Sequence, residues 1–87
     1  MSHDPATLKN EIRAKVQELA ANMGMDASEL TDDDIIPATG MLDSGGILEL
    51  VVWYEAQYDM PLEQDEINID NLGSVTAMAN FVIARKG

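Results

Sequence analysis

Apolar side chains recur at Leu8, Ile12, Val16, Leu19 and Met23, at spacings of four, four, three and four. That is the period of one helix face, and it predicts a long amphipathic helix with Lys9 and Arg13 on one flank and Glu11 and Glu18 on the other. Asp4-Pro5 reads as its cap and first residue, and Gly24 as its stop. Residues 25–43 lose the periodicity. Asp32-Asp33-Asp34, Pro37 and Gly40 mark a loop, yet Leu30, Ile35, Ile36, Met41 and Leu42 are too many apolar residues for a free linker. A 19-residue connection in so short a chain is expected to be packed, its apolar side chains pinned to the core.

Ser44 is placed to cap a second helix running to about Tyr58. At about 100° per residue, Ile47, Leu50, Val51, Tyr54 and Tyr58 fall in one wedge, assigned to the core. Leu48, Glu49, Val52, Glu55 and Ala56 fall on the other side, and Trp53 sits at the edge of the wedge. This helix is therefore apolar on more sides than an amphipathic surface helix requires, and the wheel leaves open whether Leu48 and Val52 are core or exposed. Asp59-Met60-Pro61 ends it. Gln64 to Asn68 suits a short third turn, and Ser74 a cap for a last helix with Val75, Met78, Ala79 and Val82 on one face. No stretch alternates apolar and polar residues as a strand does. The fold class expected is all-α, a bundle of three to four helices in one domain, residues 1–87, with a long loop between the first two helices.

Charge changes the picture next. Sixteen acidic residues against five basic give a net charge of −11. The basic residues are Lys9, Arg13, Lys15, Arg85 and Lys86, so the stretch from Val16 to Ala84 has none. Such a field repels nucleic acid and anionic membranes and attracts basic protein surfaces. The same charge also serves solubility, and composition does not separate the two uses. No apolar run reaches the length of a membrane span, and residues 1–5 lead into no signal-peptide core, so the chain is expected in the cytoplasm.

Most chemistries lack their residues. Without cysteine there is no disulfide, thiolate metal site or thiol nucleophile, and the one histidine, His3, stands at an end expected to fray. The acidic clusters fail the spacing of a calcium loop: Asp32-Asp33-Asp34 does not alternate, and the run from Glu66 has Asn71 and Ala77 where glycine and glutamate are needed. No glycine-rich phosphate motif is present. Ser44 lies in Leu42-Asp43-Ser44-Gly45-Gly46, half of a nucleophile elbow, with Leu42 where the first glycine belongs and no histidine to act as base. It is not a self-activating nucleophile.

With its surroundings, however, Ser44 resembles the modified serine of the acyl and peptidyl carrier proteins. The resemblance rests on Leu42-Asp43-Ser44, then Leu48-Glu49-Leu50-Val51 and Glu55, then Tyr58 and the acidic stretch after Pro61, and finally Val75, Met78 and Val82. It covers most of the chain and implies a bundle of the acyl-carrier type that is not itself an enzyme. It further implies that a phosphopantetheinyl transferase attaches 4′-phosphopantetheine from coenzyme A to Ser44, with Asp43 in support, and that the arm's thiol carries an acyl or aminoacyl group. A helix N-terminus favours a phosphate there. The implied partners are loading ligases and downstream transferases with basic docking patches, meeting a monomeric carrier through Gly45, Gly46, Leu48, Glu49, Val52 and Glu55. Some free-standing members of the family take amino acids from ligases related to seryl-tRNA synthetases, and a stand-alone carrier of that kind is one subtype implied. The chain departs from the pattern at Gly45-Gly46, where a large aliphatic and a polar residue are usual. Two other functions stand beside the carrier: an acidic helical interaction module without a prosthetic group, and a weak divalent-cation binder.

Overall fold

The computed structural model describes residues 4–86; His3 lies outside them. The long apolar stripe forms α1, Pro5–Asn22, with Leu8, Ile12, Val16 and Leu19 buried. Met23 is the exception to the predicted stripe. It is the C-cap and is 38% exposed, because the helix has already ended there. Gly24 takes φ +78°, its N–H donates to the Ala21 carbonyl, and the Met25 N–H donates to Ala20. This is a Schellman stop, the role the sequence assigns to this glycine.

The connection that follows is not a plain loop. Pro37 and Gly40, read as loop marks, bracket a short helix, α2, Ile36–Thr39: proline suits a first turn, and Gly40 leaves the helix at φ +74°. Leu30, Ile36 and Leu42 are buried as expected, with Met41 partly so, whereas Ile35 is 41% exposed. The acidic triplet pins the connection to the bundle. Asp32 pairs with Arg13 and its carbonyl accepts the Thr76 N–H, Asp33 accepts the Thr76 hydroxyl at 2.9 Å, and Asp34 accepts the Thr31 N–H at 2.9 Å.

α3, Ser44–Gln57, buries Leu50, Val51 and Tyr54 as the wheel predicts, with Ile47 only partly buried against the core. A 3₁₀ turn, Gln64–Glu66, falls where one turn is expected, and a short helix that the sequence did not predict, α4, Ile69–Leu72, follows it. Asn68 causes the split: its side chain accepts the Asn71 N–H at 2.8 Å and donates to the Asp65 carbonyl at 2.9 Å. Such local amide bonds leave no apolar period to read. α5, Val75–Lys86, starts on Ser74, whose Oγ accepts the Ala77 N–H at 3.0 Å, and buries Val75, Met78, Ala79 and Val82. α1 packs against α3 and α5, and α4 against α5. The described residues contain helices and no strand, an all-α bundle as expected.

Two tyrosines tie the bundle across. Tyr54 is fully buried and donates to the Met78 carbonyl at 2.7 Å; Tyr58 donates to Glu11 Oε1 at 2.9 Å. Burial holds both phenols above the ordinary value of 10, and for Tyr58 the Glu11 carboxylate adds to it. A phenol whose pKa is raised on folding contributes its full stability below about pH 10 and loses it as pH rises toward the folded value. The expected result is a urea midpoint that falls above pH 10, and less steeply in Tyr58→Phe.

Candidate functional site

Ser44 stands at the head of a 14-residue helix, but it is not the cap. Asp43 is the N-cap: its backbone is extended, and its Oδ1 accepts the Gly46 N–H at 2.8 Å. This corrects the placement expected from sequence. Aspartate and serine both cap well, and here the chain turns into the helix one residue earlier than the pattern suggests. The consequence is chemical. Ser44 is the first helical residue, exposed, and its hydroxyl has no hydrogen-bond partner among the described residues. By helix geometry the N–H groups of Ser44 and Gly45 lack an intrahelical acceptor, so the positive end of the helix surrounds an unencumbered hydroxyl.

The cap itself is testable. Asp43→Ala is expected to cost about 0.5–2 kcal/mol, because it leaves the N–H of buried Gly46 without its acceptor. Asp43→Asn keeps the cap and is expected to stay within about 0.5 kcal/mol of wild type. Urea unfolding of the two variants separates the capping role from the charge.

From Ser44 the exposed surface runs down α3 as two ridges. Ser44, Leu48 and Val52 follow at intervals of four, with Leu48 64% and Val52 57% exposed, which answers the question the wheel leaves open. Beside them run Gly45, Glu49 and Trp53. Glu49 is exposed; Trp53 is half-buried, edge-on to Tyr58 at 5.9 Å, with Lys15 Nζ 6.0 Å from its ring centre.

Two residues expected on this surface sit elsewhere. Gly46 is buried: a Cβ there would lie 3.0 Å from Met23 Sδ and 3.3 Å from Leu42 Cδ2, so the glycine allows α3 to approach the end of α1. Glu55 is half-buried, and its Oε2 accepts the Leu62 N–H at 2.9 Å, holding the segment after α3. Glu55→Lys is therefore expected to lower stability by about 1 kcal/mol through the lost acceptor, whereas Glu49→Lys stays within about 0.5 kcal/mol. Thermal unfolding of the pair checks the difference.

Flanking α3 on its other side is a cavity of about 180 Å³ with Ile36, Ile47, Val51, Ile69 and Met78 among its lining residues and Asn68 its one polar side chain. Ile67 and Ile69 at its rim are 45% and 58% exposed, and neither is distinguished by the sequence pattern. Asn22, the last residue of α1, and Met23, its C-cap, line a depression with the first turn of α3, and neither is legible from the sequence as a surface partner. The only signal would have been the stop at Gly24, which ends the helix before the stripe does. Among the described residues no group of three or more acidic or histidine side chains converges as a metal cage, and no helix is long and apolar enough to cross a membrane.

No family model matches the chain, and no solved structure matches it. Curated relatives do. The D-alanyl carrier protein of Streptococcus thermophilus is 34% identical over 73 residues, which is 83% of this chain and 91% of that protein. The D-alanyl carrier protein of Streptococcus sanguinis is 36% identical over the same extent. These relatives are carriers and not enzymes, and a helical bundle with an exposed serine at the head of its central helix is consistent with that role. The chain belongs to the carrier-protein family of which the D-alanyl carrier proteins are members.

Proposed function

We propose that this carrier is loaded through Ser44, which bears 4′-phosphopantetheine, and that its cargo is a small amino acid, as the names of the relatives indicate for them. The observation that carries the reading is the exposed Ser44 hydroxyl at the N-terminus of α3, left unbonded because Asp43 provides the cap. The residues fit the group. The uncapped N–H groups of the first turn would hold an anionic phosphodiester on Ser44, a position where a negative charge is favoured by about 0.3–1 kcal/mol. When bound, the group supplies a thiol that holds the cargo as a thioester, a function the cysteine-free chain has no side chain to perform.

Attachment is carried out by a separate transferase. The Ser44 oxygen forms a bond to phosphorus, a phosphoanhydride bond of coenzyme A breaks, the nucleotide bisphosphate leaves and the hydroxyl proton passes to the transferase. Asp43, adjacent to the hydroxyl, adds carboxylate charge for that enzyme's metal ion. Leu48 and Val52, with Glu49 beside them, then give an apolar centre and an acidic edge to a basic, apolar-centred patch on the loading ligase. The chain works in the cytoplasm, where coenzyme A and an activating ligase are found together. Intact mass after incubation with coenzyme A and a broad-specificity transferase tests the reading: one pantetheinyl group on the wild type supports it, and an unchanged mass would leave the acidic interaction module as the better account.

A further inference from the structure

A second depression lies beside the serine, on the side of α3 away from the apolar cavity. Asn22 and Met23 from the end of α1, with Asp43, Gly45 and Glu49 from the start of α3, line a groove of about 310 Å³. Leu19 and Glu49 continue it into a second stretch of about 340 Å³ that ends at Trp53. Trp53 lies eight helical steps beyond Gly45, about 12 Å along the helix. Gly45 stands between Ser44 and this groove, and a Cβ there would meet only Asp43 Oδ1, at 3.4 Å. A larger side chain at this position would wall the groove off from the serine.

We infer that the groove between α1 and α3 holds the arm of Ser44 between deliveries, with Gly45 as its open entrance; this rests on the carrier reading above. The choice between the two depressions follows from the arm's chemistry. Its chain contains two amides and a hydroxyl, and an amide buried without a partner costs roughly 1–3 kcal/mol. The apolar cavity offers one polar side chain, Asn68. The groove offers the Asn22 amide and the Glu49 carboxylate, both exposed, along with Leu19 and Met23 for the arm's methyl groups.

Trp53, the only tryptophan, reports on the far end of the groove. The test compares apo and holo wild type, holo Gly45→Leu and holo Asn22→Ala, each holo form purified and verified by intact mass, by tryptophan emission and backbone amide NMR. Expected are an emission change and moved resonances at Asn22, Met23, Gly45 and Glu49 in the wild type, lost in Gly45→Leu and reduced in Asn22→Ala. Asn22 is an exposed helix residue, so that variant keeps the test valid if the leucine variant folds poorly. Resonances that move only at Ile36, Ile67, Ile69 and Leu72, or at neither place, would overturn the inference while leaving the carrier reading intact. No mass gain on the wild type would overturn both.

Discussion

Ser44→Ala is expected to abolish attachment of the pantetheinyl group while leaving the unfolding midpoint within about 0.5 kcal/mol of wild type. The first half follows from chemistry, since alanine has no oxygen to form the phosphodiester. The second follows from the structure. Had Ser44 been the cap, its loss would cost about 0.5–2 kcal/mol. Asp43 makes that bond, and an exposed first-turn alanine removes nothing the fold uses. The other serines among the described residues are placed differently: Ser28 lies in the connection after α1, and Ser74 is 7% exposed and caps α5. A pantetheinyl group found on the alanine variant would reject the assignment of the site. A large loss of stability would reject the capping geometry instead.

The next largest effect is expected on the exposed face of α3. Leu48→Ala should weaken association with the loading ligase by roughly fivefold or more, because truncating an apolar anchor at the centre of an interface costs above about 1 kcal/mol. Glu49→Lys should act on the association rate, strongly at low salt and little at high salt, since charges are screened beyond about 10 Å at 0.1 M. Both residues are exposed, so neither change should alter stability by more than about 0.5 kcal/mol. Loading rates measured across a salt series, with unfolding curves as control, separate docking from folding. Unchanged loading in both variants at low salt would place the docking face elsewhere. Glu55, although acidic and on the same helix, is the wrong residue for this experiment, because its carboxylate holds the Leu62 N–H and a charge reversal there reports on stability.

What the sequence determined by itself is what repeats along the chain or acts locally. The stripe from Leu8 to Leu19, the core wedge of α3 and the apolar face of α5 are periodic, and periodicity survives any arrangement of the helices. Gly24 and Ser74 are local as well, one needing a positive φ and the other a single bond three residues on. The placement of a serine after an acid at the head of a helix was legible for the same reason.

The tertiary structure decided everything that depends on neighbours distant in sequence. Whether Leu48 and Val52 face outward is set by which side of α3 the other helices cover, and an amphipathic wheel with too many apolar residues cannot say. Gly46 reads as a bare surface position until Met23 and Leu42 are brought against it. Asp32 and Asp33 read as a charge run until the fold brings Arg13 and Thr76, from opposite ends of the chain, against them. Short helices such as α2 and α4 are too brief for a period: Pro37 and Gly40 bound α2, and the Asn68 cap and packing on α5 hold α4. A sequence records the preferences of each segment, whereas a surface exists only once the segments have met.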